Sequence, residues 1–153
     1  MTRKYPFTPQ EFKDIYSKVP KLCVEAVVIK DKGVVLTKRS HSSWHGQWHI
    51  PGSTLYYLEK VTDAITRIAS EEIGLTSITI VKPLGYLEYP SEVQQRGFGY
   101  SVSLPFLCTT QQTLSDKNGE GEQIKIFTTL PENLVFEQRQ LLLDVLNQTN
   151  STR

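Results

Sequence analysis

The sequence holds only two cysteines in 153 residues, Cys23 and Cys108, each inside an apolar run (LCVEAVVI and LPFLCTT). That excludes a disulfide framework of the secreted kind and predicts two reduced, buried thiols. No run approaches the roughly 18 apolar residues of a membrane span, and the first residues, MTRKYPFTPQEF, hold no apolar stretch long enough for a signal peptide. A cytoplasmic protein without a membrane partner is therefore expected, and the Asn-x-Thr matches at Asn147 and Asn150 read as accidental. Charge of one sign is lacking too. Seventeen basic against 16 acidic residues give a formal net charge of +1, no footprint for duplex nucleic acid, which leaves room for a small anionic ligand. Histidine is scarce: His41, His45 and His49 crowd one stretch broken by Gly46 and Pro51, which argues against a helical zinc face. Repeats and low-complexity blocks are absent.

What is present suits one domain over residues 1–153, with a helical extension over 1–20 and a frayed tail over 148–153. Thr8-Pro9-Gln10-Glu11 is a helix-start signal, with Thr8 as N-cap, Pro9 at the first helical position and Glu11 closing a capping box. CVEAVVI and VVLT flank Lys30–Gly33 as a β-hairpin rich in β-branched residues. SHSSWHGQWHIPGS is loop-rich, and its Trp44 and Trp48 are expected to pack the loop on a sheet, with stacking on a ligand as the alternative. A helix from about Lys60 to Ile73 ends at Gly74. ITIVKPLGYLEY and FGYSVSLPFLC read as long strands around a turn at Pro90-Ser91, with Pro83 and Pro105 marking bulges or edges. Tyr86, Tyr89, Phe98 and Tyr100 along them divide between core and a concave face. IKIFTTL is a last strand and VFEQRQLLLDVL a terminal helix. Strands punctuated by helices predict an α/β fold with a mixed sheet.

The chemistry concentrates in the helix that Gly74 ends. Residues three and four apart share a face, so Ile68, Glu71 and Glu72 form one triangle, with Arg67 beside Glu71. Val61, Ile65, Ile68 and Glu72 share one sector, which means that Glu72 interrupts the core-facing stripe. A bare carboxylate there is costly, whereas a divalent cation lets Glu71 and Glu72 both stay ionised. The plain alternative is a solvated last turn with Arg67 pairing across it.

The stretch from Pro51 to Leu75 resembles the signature of the Nudix hydrolases: Gly, five residues, Glu, seven residues, then Arg-Glu-apolar-x-Glu-Glu-x-Gly-apolar. Glu59, Arg67, Ala69, Glu71, Glu72, Gly74 and Leu75 fall on its positions, while Ser53 replaces the opening Gly and Ile68 the Glu after the Arg. The resemblance implies an α/β/α sandwich with a central mixed β-sheet. It also implies that Glu59 and the Gly52 carbonyl join Glu71 and Glu72 around Mg²⁺ or Mn²⁺, an ion that takes oxygen ligands. Arg67 would orient Glu71 or Glu59, and Arg39 would meet a phosphate unless it is merely solvated. Ile68 cannot serve as the general base, so Glu120 or Glu122 in DKNGEGEQ is the candidate.

The function so implied is hydrolysis of the diphosphate linkage of a nucleoside diphosphate joined to another moiety: a nucleotide sugar, an ADP-ribose-like compound or a nucleotide pyrophosphate. The partner is a small phosphorylated molecule, and homodimers are frequent in the family. The alternative is a nucleotide-binding or sensing module of the same fold with lost or weak hydrolysis, which Ile68 would mark; a scaffolding domain is a third reading.

Overall fold

The expected hairpin forms as β1 (Lys21–Lys30) and β2 (Gly33–Lys38) in the computed structural model of the protein, which describes residues 5–40 and 43–151. Its two loop residues, Asp31 and Lys32, both take positive φ (51° and 64°), the turn whose twist matches that of the flanking strands. Ahead of it, α1 (Pro9–Tyr16) starts as predicted, the Thr8 hydroxyl accepting the Glu11 N–H at 3.2 Å.

Two short strands, β3 (Trp48–His49) and β4 (Gly52–Thr54), lie inside the stretch expected to be loop, followed by α2 (Val61–Ile73). The predicted strand over 78–89 is broken into β5 (Thr79–Pro83) and β6 (Leu87–Tyr89), and the turn at Pro90-Ser91 leads into the short helix α3 (Glu92–Arg96). Both pieces pair with β7 (Ser101–Thr109). Pro105 sits opposite the break rather than on an edge strand, and its carbonyl accepts the Leu84 N–H at 2.9 Å. A register shift between Ile80 and Lys82 supplies the irregularity that Pro83 foretold.

The strand β8 (Ile124–Phe127), a 3₁₀ turn (Phe136–Gln138) and α4 (Arg139–Ser151) complete the chain. Helix α4 runs past residue 148, where a frayed tail was expected, to Ser151, and its buried Leu142, Val145 and Leu146 face the core. The sheet has the order β3-β2-β1-β7-β5, with β4 on β1, β6 on β7 and β8 on β2. The β1–β7 pair is parallel and the other named strand pairs are antiparallel, so the sheet is mixed.

Side chains alternate across β1 and so divide two cores. Val24, Ala26 and Val28 pack with Ile65, Ile68 and Ile73 of α2 on one face. Val27 faces Leu36, Trp48 and Leu142 of α4 on the other, which completes an α/β/α sandwich. Full burial of each aliphatic side chain contributes about 1.5–3 kcal/mol. Among the described residues no helix is long and apolar enough to cross a membrane.

Candidate active site

Helix α2 presents Ala64, Ile65, Ile68, Ala69 and Ile73 to the core and stops at Gly74, whose φ of 68° is left-handed. Glu72 lies at the rim of that apolar face, and its Oε2 accepts the Gly52 N–H at 3.1 Å. Gly52 must lack a side chain there, because a Cβ would stand 2.8 Å from the Glu25 Cγ and 3.1 Å from the Val24 carbonyl oxygen. Burial pushes Glu72 up to about 8, with Glu122 and Glu120 adding to the rise while the Gly52 N–H and Arg39 oppose it. Ser53 needs no glycine: it pairs with Val24 in β4 and is not among the residues of positive φ.

Arg67 chooses Glu59 first. Its Nε and Nη2 donate to Glu59 Oε2 (2.8 Å) and Oε1 (3.0 Å), Nη2 also donates to the Thr54 carbonyl (3.0 Å), and the guanidinium lies 3.9 Å from the centroid of Tyr56. Burial lowers the Arg67 pKa, but Glu59, Tyr56 and Glu71 together raise it above its ordinary value. Glu59 Oε1 further accepts the Tyr56 N–H at 3.1 Å. With both oxygens so engaged, Glu59 anchors Arg67, and the expected convergence of Glu59 with Glu71 and Glu72 on one ion is not formed. Among the described residues no three His, Cys, Asp or Glu side chains cluster closely enough to hold a metal. Glu71 differs: its Oε2 is 3.5 Å from Arg67 Nη1, and its Oε1 is buried without a hydrogen-bond partner. Ile68, where a glutamate was missing, is fully buried against β1, so a carboxylate at that position would face the core.

Arg39 follows β2 and donates from Nε to the Ser43 carbonyl at 2.8 Å. Burial lowers its pKa, opposed by Glu72 and Glu122, so the three charges act on one another. Glu122 accepts from the Ser40 N–H (3.2 Å) and from Asn118 Nδ2 (3.2 Å), which fixes its loop beside Arg39.

Arg39, Gly52 and Ser53 also border a cavity of about 220 Å³ whose other walls were not foreseen. Glu25 of β1 lies on it, only 4% exposed; Tyr89 donates to both its oxygens (2.7 and 2.9 Å) and Gln138 Nε2 to one (3.0 Å). Burial lifts Glu25 to about 7 and holds Tyr89 well above its ordinary value, so Tyr89 stays a donor. Lys21 (3.2 Å) and Arg96 (3.3 Å) pair with buried Glu92, and Phe12 packs beneath both cations. One signal in the sequence pointed here: a glutamate in the middle of a buried β-branched strand.

The remaining expectations divide. His49 is buried, Thr37 Oγ1 lies 2.9 Å from its Nε2 and the Ile50 carbonyl 2.8 Å from its Nδ1, and burial lowers it to about 3. His45 is exposed, and His41 lies outside the described residues. Trp48 packs the core as expected, but Trp44 borders the cavity. Tyr89 faces inward while Tyr86 is 66% exposed. Cys108 is buried, Cys23 partly so, and both are free thiols.

A mixed sheet between helices thus sets an acidic helix end beside a cavity that Lys21, Arg39 and Arg96 border. A profile of the NUDIX domain matches residues 19–145, and the chain belongs to the Nudix hydrolase family. It is 30% identical over 127 residues to the low-salt glycan biosynthesis protein Agl8 of Haloferax volcanii, covering 81% of either chain. It is 24% identical over 133 residues to an ADP-ribose pyrophosphatase of Methanocaldococcus jannaschii, covering 86% of this chain and 76% of that one. In fold it is similar to a MutT Nudix hydrolase from Burkholderia pseudomallei, with a TM-score of 0.65, 22% identity, and coverage of 83% of this chain and 98% of that one.

Proposed function

We propose that the protein is a divalent-metal-dependent hydrolase that cleaves the diphosphate linkage of a nucleoside diphosphate joined to another moiety. One observation carries this reading: the partnerless buried oxygen of Glu71 next to desolvated Glu72, two acids whose environment is costly for bare carboxylates and suited to a cation. Glu71, Glu72 and the Gly52 carbonyl would hold Mg²⁺ or Mn²⁺; bound there, the ion supplies Lewis-acid charge neutralisation and acidifies water. Arg39 draws the anionic diphosphate to the cavity mouth. Arg67, itself held by Glu59, orients Glu71. Glu122 receives the proton of the attacking water as its oxygen adds to phosphorus, and the bridging P–O bond breaks with departure of a phosphorylated product. The ADP-ribose pyrophosphatase relative supports a substrate of this class.

The test is product release from nucleotide sugars, ADP-ribose and dinucleoside diphosphates with Mg²⁺, with Mn²⁺ and with chelator. Metal-dependent release of a nucleoside monophosphate is expected, and no turnover of any member would overturn the reading. Ile68 alone favours the second reading, a binding or sensing module: a nucleotide that raises the melting temperature without being consumed is its signature.

A further inference from the structure

We propose that Trp44 is the platform on which the nucleobase of the substrate stacks, a step that rests on the reading of the protein as a hydrolase of nucleoside diphosphate derivatives. The chain uses its two tryptophans differently. Trp48 is buried in the core, edge-on to Phe127 at 4.8 Å, and completes the packing under α4. Trp44 is half-buried, belongs to neither core cluster and borders the cavity.

Its backbone is left-handed, with φ of 54°, a conformation that bulky residues adopt rarely and that a turn needing only to reverse direction would give to glycine or asparagine. Specific bonds impose it: the Trp44 N–H donates to Gln95 Oε1 at 2.9 Å, and its carbonyl accepts the Gln47 N–H at 3.0 Å. Such conformations concentrate where the surroundings over-determine a functional group. The indole is oriented by Tyr89, edge-on at 6.1 Å, and by Arg39, whose guanidinium carbon is 5.7 Å from the ring centroid.

Arg39 and Gly52 border the same cavity as the indole, and the Gly52 N–H donates to Glu72 Oε2 at 3.1 Å, so one wall runs from Trp44 to the acidic end of α2. A nucleotide with its base on Trp44 has its phosphates beside Arg39 and α2. The cavity of about 220 Å³ is smaller than the ~300–1,000 Å³ that encloses a whole drug-sized ligand. It therefore admits one end of a two-part substrate, and Tyr5 and Phe12 on the same cavity add aromatic surface suited to a planar group.

The full-length protein and its W44F and W44A variants are titrated with adenosine monophosphate and with ribose 5-phosphate, and binding is followed by calorimetry and tryptophan fluorescence. The nucleotide should quench wild-type emission, and Kd should rise about 5- to 100-fold in W44A, the range of one lost base stack, and less in W44F. Ribose 5-phosphate should bind all three alike, which excludes a collapsed site. Equal nucleotide affinity in wild type and W44A, or an equal loss for ribose 5-phosphate, overturns the proposal. Turnover of nucleoside diphosphate substrates with kcat/KM unchanged in W44A overturns the platform but leaves the hydrolase. Ring-dependent nucleotide binding without turnover of any substrate does the reverse.

Discussion

Glu59 is gripped by Arg67 eight residues along the chain, whereas Glu25 is held by Tyr89 and Gln138, which lie 64 and 113 positions away. The first carboxylate receives a bidentate guanidinium within one loop and one helix. The second receives neutral donors brought together by β1, β6 and the 3₁₀ turn before α4. This difference separates two kinds of consequence. Damage at α2 should strike chemistry and one local ion pair, while damage at the cavity floor should loosen contacts among three distant segments.

Replacing Glu72 with Gln should have the largest effect: loss of several kcal/mol of metal-assisted stabilisation, on the order of 10³-fold in turnover. The same change should raise the melting temperature of metal-free protein at pH 9, where the wild type carries a desolvated charge. A drop in metal-free stability would instead make Glu72 a structural residue and erase the contrast between the two regions.

Arg67→Ala comes next. It leaves the Glu59 carboxylate, whose side chain is 7% exposed, without its cation, at a cost of about 3–5 kcal/mol in chemical denaturation. Arg67→Lys should recover only part of this, since an ammonium cannot reproduce the two-pronged contact.

The cavity floor is tested by pH. Glu25 rises from 4.5 to about 7 on folding, so the folded protein keeps a proton that the unfolded chain releases. The associated stability is complete below pH 4.5 and is lost as pH climbs through 7, by about 3 kcal/mol. Glu72 extends the same fall to about 8 in metal-free protein. His49 acts oppositely: held down to about 3, it removes stability as pH falls from 6.5. Glu25→Gln should flatten the fall between 4.5 and 7, and an unaltered slope in a denaturation series would show that Glu25 does not govern it.

Smallest is Glu122→Gln, expected to reduce turnover at least about tenfold with metal affinity unchanged. Equal turnover in the two proteins would remove Glu122 from the reaction.

The helix carrying Arg67, Glu71 and Glu72, its stop at Gly74 and the interruption of its core-facing stripe by Glu72 were legible because helical periodicity is a local property. The pairing of Arg67 was left open between Glu71, one helical turn away, and Glu59, which the resemblance alone suggested and which precedes α2. The role of Glu59 as an anchor was not legible, since spacing brings a carboxylate near an ion but cannot count how many donors already occupy its oxygens. The break in the strand after Pro83 was half legible: a proline announces irregularity, while which partner absorbs it depends on where β7 runs.

By itself, then, the chain order determined the mixed α/β layering, the acidic helix end and the family, because periodicity, caps and motif spacing act over a few turns. Only the tertiary structure decided the cavity, the grip on Glu25, the burial that displaces Glu72 and Glu25 from ordinary acidity, and the separate uses of Trp44 and Trp48. Desolvation and hydrogen-bond satisfaction depend on which distant segments meet, and no local pattern encodes that meeting.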